Sequence, residues 1–274
     1  MATIFRFTSF EQLVDIMQRK ALAFVLPFLW DDPFEGYIVK ILKDGDGLQR
    51  VRDVLDMLEY QPGTKVLLLS LFGVASKLYH GQSWTQLSES DALWRIYSHN
   101  NFAIRLEIKE SNIALLDGVK AYMVNYVDSL DLTEEIKSIP VEGHPVNITT
   151  HTHKIFTTKR SAFSHEKEVR LLADNKESIL NKENMLPVLR GIIDDNGGVI
   201  VTNNQWLNYY KAVSGDILDK IPAVKYISFN HIPNFVESVM LHPLAPTWFD
   251  DTLATFCEKN CINYLGRSKL YQFY

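Results

Sequence analysis

The chain has 274 residues, 46% hydrophobic and 22% charged, a balance that fits a folded globular protein and excludes long disorder. Its 28 Lys and Arg against 33 Asp and Glu leave a formal net charge of −5, so no global attraction draws it to nucleic acid or to an anionic membrane. No secretory leader is expected from the opening MATIFRFTSF, and two cysteines, Cys257 and Cys261, make no disulfide framework and point to a reducing cytoplasm.

In chain order, residues 5–8 read as a strand, and Ser9-Phe-Glu-Gln12 has the form of a capping box opening a helix with Phe10, Leu13, Ile16 and Met17 on one face. Residues 22–25 form a second strand, followed by a loop over 27–36. Leu48, Val51, Val54, Leu55 and Leu58 carry helical spacing, and Pro62-Gly63 is expected to end that helix. The apolar run 65–72 then reads as a buried strand, 76–87 as a polar loop, and a helix starts near Ser88. The longest weakly charged stretches, 21–30 and 66–76, fall well short of the ~20 residues that span a bilayer, so no membrane association is expected.

Further on, 102–108 alternates as a strand, 119–127 reads as another, and 131–140 as a short helix stopped by proline. Residues 145–152 are ambiguous, 153–160 has helical character, and 166–173 alternates strictly. DDNGG at 194–198 signals a turn before a strand at 199–202. Strands are expected at 224–229 and 236–241, and a helix at 250–258 with Leu253, Phe256 and Cys257 inward. Helices and strands interleave without a βαβ rhythm. The expected fold is α+β, one compact domain over 1–274 with mixed or antiparallel sheets flanked by helices.

Two segments suggest chemistry. On a strand, Glu166, Glu168 and Arg170 would share one face, the opposite face holding Lys167, Val169 and Leu171. Such a row is either a solvated polar face or a site in which carboxylates and a guanidinium adjust one another's protonation. Trp30-Asp-Asp-Pro-Phe-Glu-Gly36 offers an Asx-type turn at Asp31 or Asp32, an exit at positive φ at Gly36, and anchors in Trp30 and Phe34. That loop is either a substrate rim or a structural turn.

Lys154, Lys159, Arg160, Lys167 and Arg170 gather positive charge, either as a patch for a phosphate-bearing ligand or as solvated surface. Trp94 and Tyr97, spaced i,i+3, are either core anchors or a stacking platform. His151 and His153 lack further ligands for a metal, so none is expected. Walker A, Gly-rich dinucleotide and Gly-x-Ser-x-Gly motifs are absent from the sequence.

In order, WDDPFEG, LWRIYSHNNFAIRLEI, KRSAFSHEKEVRL, a closing V-x-x-V-x-L-H-P-x-A and RSKL resemble the prokaryotic family known as domain of unknown function 2971, from Phe5 to Leu270. Two positions depart from the family pattern: Trp30-Asp31 replaces Phe-Asn, and Asn101-Phe102 stands where many members have glycine. More distantly, the order of residue types is similar to the ADP-ribosyltransferase-like fold, which implies a split sheet around an NAD cleft. That likeness implies Arg6 on the first strand holding the diphosphate, Ser70 on a middle strand positioning ribose, Glu168 as catalytic carboxylate and Glu166 selecting or activating the acceptor. Arg170 joins the cofactor side, and Asp32, Trp94 and Tyr97 the substrate side.

The leading expectation is therefore an NAD-dependent ADP-ribosyltransferase-like enzyme acting on a nucleic acid or protein acceptor, in a toxin or antiphage-defence setting. The alternative is a non-catalytic nucleotide-, nucleic-acid- or protein-binding module in which Glu166, Glu168 and Arg170 form a structural ladder. A hydrolase working through the two carboxylates ranks last, because no sugar-stacking aromatic stripe accompanies them.

Overall fold

The computed structural model describes residues 3–42, 44–98, 100–139, 151–175 and 221–272. The turn expected at 194–198, the strand at 199–202 and most of 145–152 lie outside the described residues.

Strand β1 (Thr3–Ser9) leads directly into α1 (Phe10–Arg19). Ser9 caps that helix by accepting the Gln12 N–H, while the Gln12 side chain turns to Thr8 and Arg6 instead of closing the capping box. Leu13, Ile16 and Met17 are buried as their spacing predicts. Strand β2 (Ala21–Val25) precedes a 3-10 turn at Pro27–Leu29, and α2 (Tyr37–Ile41) follows the loop. Helix α3 is Gly47–Met57.

The expected strand over 65–72 is instead the interior of α4 (Pro62–Leu78), and the expected polar loop contains β3 (Tyr79–Thr85). Both differences have physical reasons. Pro62 occupies the first turn of a helix, where its missing N–H costs nothing, so it starts a helix as readily as it stops one. Leu68, Leu69, Leu71, Phe72, Val74, Ala75 and Leu78 are all buried, and a helix apolar all round carries no period to separate it from a buried strand.

Helix α5 (Asp91–Ile96) is capped by Ser90, and β4 is Ala103–Lys109. Asn100 and Asn101, just before it, hold φ of 57° and 66°, the left-handed conformation that glycine would otherwise supply. After α6 (Glu110–Ile113), the stretch expected as one strand divides into β5 (Val119–Met123) and β6 (Asn125–Val127). Helix α7 (Leu132–Lys137) is capped by Asp131. A 3-10 turn at Thr152–Phe156, β7 (Thr158–Arg160) and a second 3-10 turn at Ser161–Glu166 lead to β8 (Glu168–Asp174), which begins two residues later than its alternation suggests. Strands β9 (Val224–Ser228) and β10 (Ser238–Leu241), helix α8 (Thr247–Lys259) and β11 (Asn263–Arg267) complete the described chain.

The result is one compact α+β domain with a mixed, mainly antiparallel sheet flanked by helices. Its sheet forks at β3. One edge of β3 pairs with β8 along its whole length, and β8 with β5. The other edge meets β2 only at Val25↔Gly81 and β1 only at Phe5↔Thr85. Beyond those single bridges, β1 continues into β4, β10 and β11, while β2 pairs with β9. Backbone hydrogen bonds missing across the gap are partly replaced by Gln82, whose amide donates to Ala23 O (2.9 Å) and accepts from Trp84 Nε1 (2.7 Å).

Each face of β8 has its own core. Val169, Leu171 and Ala173 join α1, α6, α8 and the long arm of the sheet, whereas Leu172 joins α2, α3, α4 and α7. Glu168 and Arg170 point to the second side, under the helical layer. The polar face of this strand is thus buried and not solvated. Among the described residues no helix is long and apolar enough to cross a membrane.

Candidate functional site

A cleft of about 530 Å³ opens where β1 and β2 diverge from β3, a volume within the usual range of small-molecule sites. Arg6 and Thr8 of β1, Gln82, Ser83 and Thr85 of β3, Trp30 and Asp31 of the loop, Ile96 and Tyr97 at the end of α5, and Glu166 and Glu168 all line it. The fork in the sheet makes the space, and the residues at its mouth come from separate parts of the chain.

Behind the carboxylate wall lies a buried ion-pair network. Glu168 is 2% exposed, and its Oε1 accepts from Arg170 Nε (2.9 Å) and Nη2 (2.6 Å). Arg170 is 0% exposed and also donates to Glu35 Oε1 (3.1 Å) and Phe156 O (2.6 Å). Lys159 Nζ sits among three carboxylates, at 2.8 Å from Glu166, 3.1 Å from Glu35 and 3.3 Å from Glu168. Rings cover the cations: Trp30 lies 4.1 Å from the Arg170 guanidinium and Phe163 4.6 Å from the Lys159 ammonium.

Burial alone would raise the Glu168 carboxyl, but Arg170 and then Lys159 outweigh it and hold the group below the usual carboxylate value. Burial likewise opposes the charge on Lys159 and Arg170, yet Glu168 and Glu35 raise both above their ordinary values. Charges this deeply placed survive only because each has a partner.

The WDDPFEG loop is fixed to this network. Glu35 is its buried tether, Lys40 donates to the Trp30 and Asp32 carbonyls, and Asp32 Oδ1 accepts the Phe34 N–H (2.9 Å) in an Asx turn and pairs with Arg160 (3.3 Å). Gly36 exits at φ 64° against the Phe156 ring. Trp30 packs against β3 at Gly81, where a Cβ would fall 2.4 Å from Trp30 Cζ2. Phe34, expected as a core anchor, is 38% exposed and packs on Tyr37 and Arg160.

The opposite wall is different. Arg6 has no acidic partner among the described residues; its Nη2 reaches only Gln12 Oε1, at 3.4 Å. Burial pushes its pKa down to about 10, with the Tyr97 phenol opposing the shift. Tyr97 is 45% exposed, but desolvation first and then Glu166 and Glu168 raise its phenol above the ordinary value. A cation without a counter-ion among the described residues thus shares the cleft with two carboxylates.

Arg6, Glu166, Glu168 and Tyr97 are therefore brought together. Ser70, expected on a middle strand, falls instead within α4, since the run that carries it is helix, and its side chain lies outside the described residues. The hydroxyl that stands on the middle strand is Ser83, exposed in the cleft and close enough to Glu168 to help lower its pKa. Arg170 makes four hydrogen bonds to internal partners and, at 0% exposure, has no surface for a cofactor.

Asp32 engages the turn and Arg160 through Oδ1 alone and holds Oδ2 buried without a hydrogen-bond partner, and it is Asp31 that lines the cleft. Trp94 is 0% exposed, packed edge-on to Phe7 (4.7 Å) and His242 (5.3 Å), so it is core and not a platform. Of the basic cluster, Lys159 is locked in ion pairs and Lys154 caps Ser138 O, which leaves no contiguous basic patch from these residues.

Glu35, Lys159 and Ser83 were the functional positions hardest to read. Glu35 pairs with Arg170 across 135 residues and with Lys159 across 124, separations that no local pattern encodes. Ser83 had one available signal, the β-prone Tyr79, Trp84 and Thr85 around it. Among the described residues, no cluster of His, Cys, Asp and Glu could hold a metal ion. No protein-family model matches the chain, and no curated protein or solved structure is detectably similar to it.

Proposed function

We propose that the cleft binds a dinucleotide of the NAD type and cleaves or transfers at its nicotinamide ribosyl bond. What supports this reading above all is the Arg6 guanidinium, without an acidic partner among the described residues, lining one cleft with Ser83, Glu166 and Glu168, each contributed by a different element. The resemblance of the chain to the ADP-ribosyltransferase-like fold supplies the order cation, hydroxyl, carboxylate, and the forked sheet is compatible with it.

In this reading Arg6 holds the diphosphate, an anion that would supply its missing partner. The Ser83 hydroxyl orients the ribose. Glu168, kept ionised by Arg170 and Lys159, presents negative charge where positive charge develops on the ribose as the glycosidic C–N bond breaks and nicotinamide leaves with the bonding pair. Glu166 is bonded only through Oε2 among the described residues, so its other oxygen is available to take the proton of the attacking acceptor or water. The acceptor would be a nucleic acid or protein, and the setting a cytoplasmic toxin or antiphage-defence effector.

Calorimetry with NAD and an assay for released nicotinamide test the proposal on wild type, Arg6→Gln and Glu166→Gln. Arg6→Gln is expected to weaken NAD binding by about tenfold or more, the loss of a charge-assisted contact. Glu166→Gln should bind NAD but turn over slowly. Absence of NAD binding in wild type, or unchanged behaviour of both variants, would refute it. A second reading has its own support: Glu168 is fully engaged by internal partners. A nucleotide-binding module would bind NAD and release no nicotinamide.

A further inference from the structure

Three carboxylates and two cations make up the buried network, and they are not equivalently tied. Arg170 serves Glu35 and Glu168, whereas Glu166, at the cleft mouth, has Lys159 as its one cationic partner among the described residues. Lys159 is carried on β7, three residues held parallel to β6, and its side chain is 9% exposed with the ammonium against Phe163. It is the link between the cleft carboxylate and the pairs behind it.

We infer that Lys159 is the positioning residue of this cleft, tying Glu166 to Glu168 and Glu35 so that the three carboxylates stand in fixed places. The inference rests on the catalytic reading of the cleft for its kinetic part only. Without the ammonium, three carboxylates would share one guanidinium, and repulsion would force a proton onto the cluster. Glu166 would also lose the bond that aims it.

Several elements supply the groups that face this cluster among the described residues. Glu35 comes from the loop before α2, Glu166 from the 3-10 turn, and Glu168 and Arg170 from β8. Tyr126 of β6 accepts the Glu168 N–H at 2.8 Å, Ser83 of β3 adjoins Glu168, and Tyr97 links the cluster electrostatically to Arg6. Arg160 and Asp32 pair beside it at 3.3 Å.

The test compares wild type with Lys159→Met, Lys159→Arg and Glu35→Gln. The titration of the glutamate carboxylates is followed by carbon NMR without NAD, and nicotinamide release is followed against pH. Lys159→Met is expected to raise the Glu168 titration midpoint by about one pH unit or more. It should move the acid limb of the rate profile the same way and lower kcat, with KM for NAD within about twofold of wild type.

Lys159→Arg should restore most of both. Glu35→Gln, which removes an excess negative charge, should move the midpoint down. An unmoved midpoint in Lys159→Met, or a fall in rate equal at every pH, overturns the inference. If Lys159→Met does not fold, Glu35→Gln decides, since a midpoint that stays or rises there overturns it as well. If wild type releases no nicotinamide, the catalytic reading fails, and the NMR midpoints still decide the role of Lys159.

Discussion

Arg6 and Arg170 contribute to the same neighbourhood from opposite sides of the cleft, and their surroundings could hardly differ more. Arg170 is fully buried, with Glu168, Glu35 and the Phe156 carbonyl on its nitrogens and Trp30 on its face. Arg6 has a side-chain amide oxygen at 3.4 Å and a phenol in electrostatic range. A guanidinium whose partners are internal is part of the architecture, since its charge is already neutralised. One that lacks them retains the electrostatic attraction a ligand can use.

The largest expected effect tests that contrast directly. Arg170→Met leaves Glu35 and Glu168 buried without their principal cation and should lower unfolding free energy by about 3–5 kcal/mol. Arg6→Gln should stay within about 1 kcal/mol of wild type, because no buried partner is orphaned. Urea denaturation of both measures this, and equal losses would break the distinction.

Next in size is Gly81→Ala. Its Cβ would collide with Trp30, which itself lies on Arg170, so the ring must leave the guanidinium. An overpacking cost of about 1–3 kcal/mol is expected, together with a change in tryptophan fluorescence. Wild-type stability would show that the loop is looser than its tethers suggest.

The smallest effect is in acid. Because the Glu168 carboxyl is held below its usual value of 4.5, its contribution to stability is fully present above that pH and is lost as pH falls through the depressed value. Stability measured from pH 7 downward should therefore decline more steeply in wild type than in Arg170→Met, where the stabilising partner is gone. Parallel curves would assign the acid sensitivity to other groups.

Much of this was legible where a local rule was sufficient. Ser9 before an amphipathic run located α1, Asp131 located α7, and Gly36 turned at positive φ as its place after Asp-Pro suggested. Glu166, Glu168 and Arg170 stood out because charges alternate there with apolar residues. Yet the same alternation placed them on a regular strand, whereas Lys167 holds φ 44° and separates a 3-10 turn from β8. The segments of Ser70 and Ser83 were read the wrong way round, strand for helix and loop for strand, because an all-apolar helix has no readable period and β3, buried at six of its seven residues, shows no clean alternation of apolar and polar residues.

The sequence by itself determined the α+β class, most element positions and the residue types from which a cleft could be built. Those features follow from propensity, capping and periodicity, which act over a few residues. Only the tertiary structure decided which charges are spent and which are left. Glu35 meets Arg170 and Lys159, and Arg6 meets no carboxylate among the described residues, because pairing across such distances depends on how the whole chain packs.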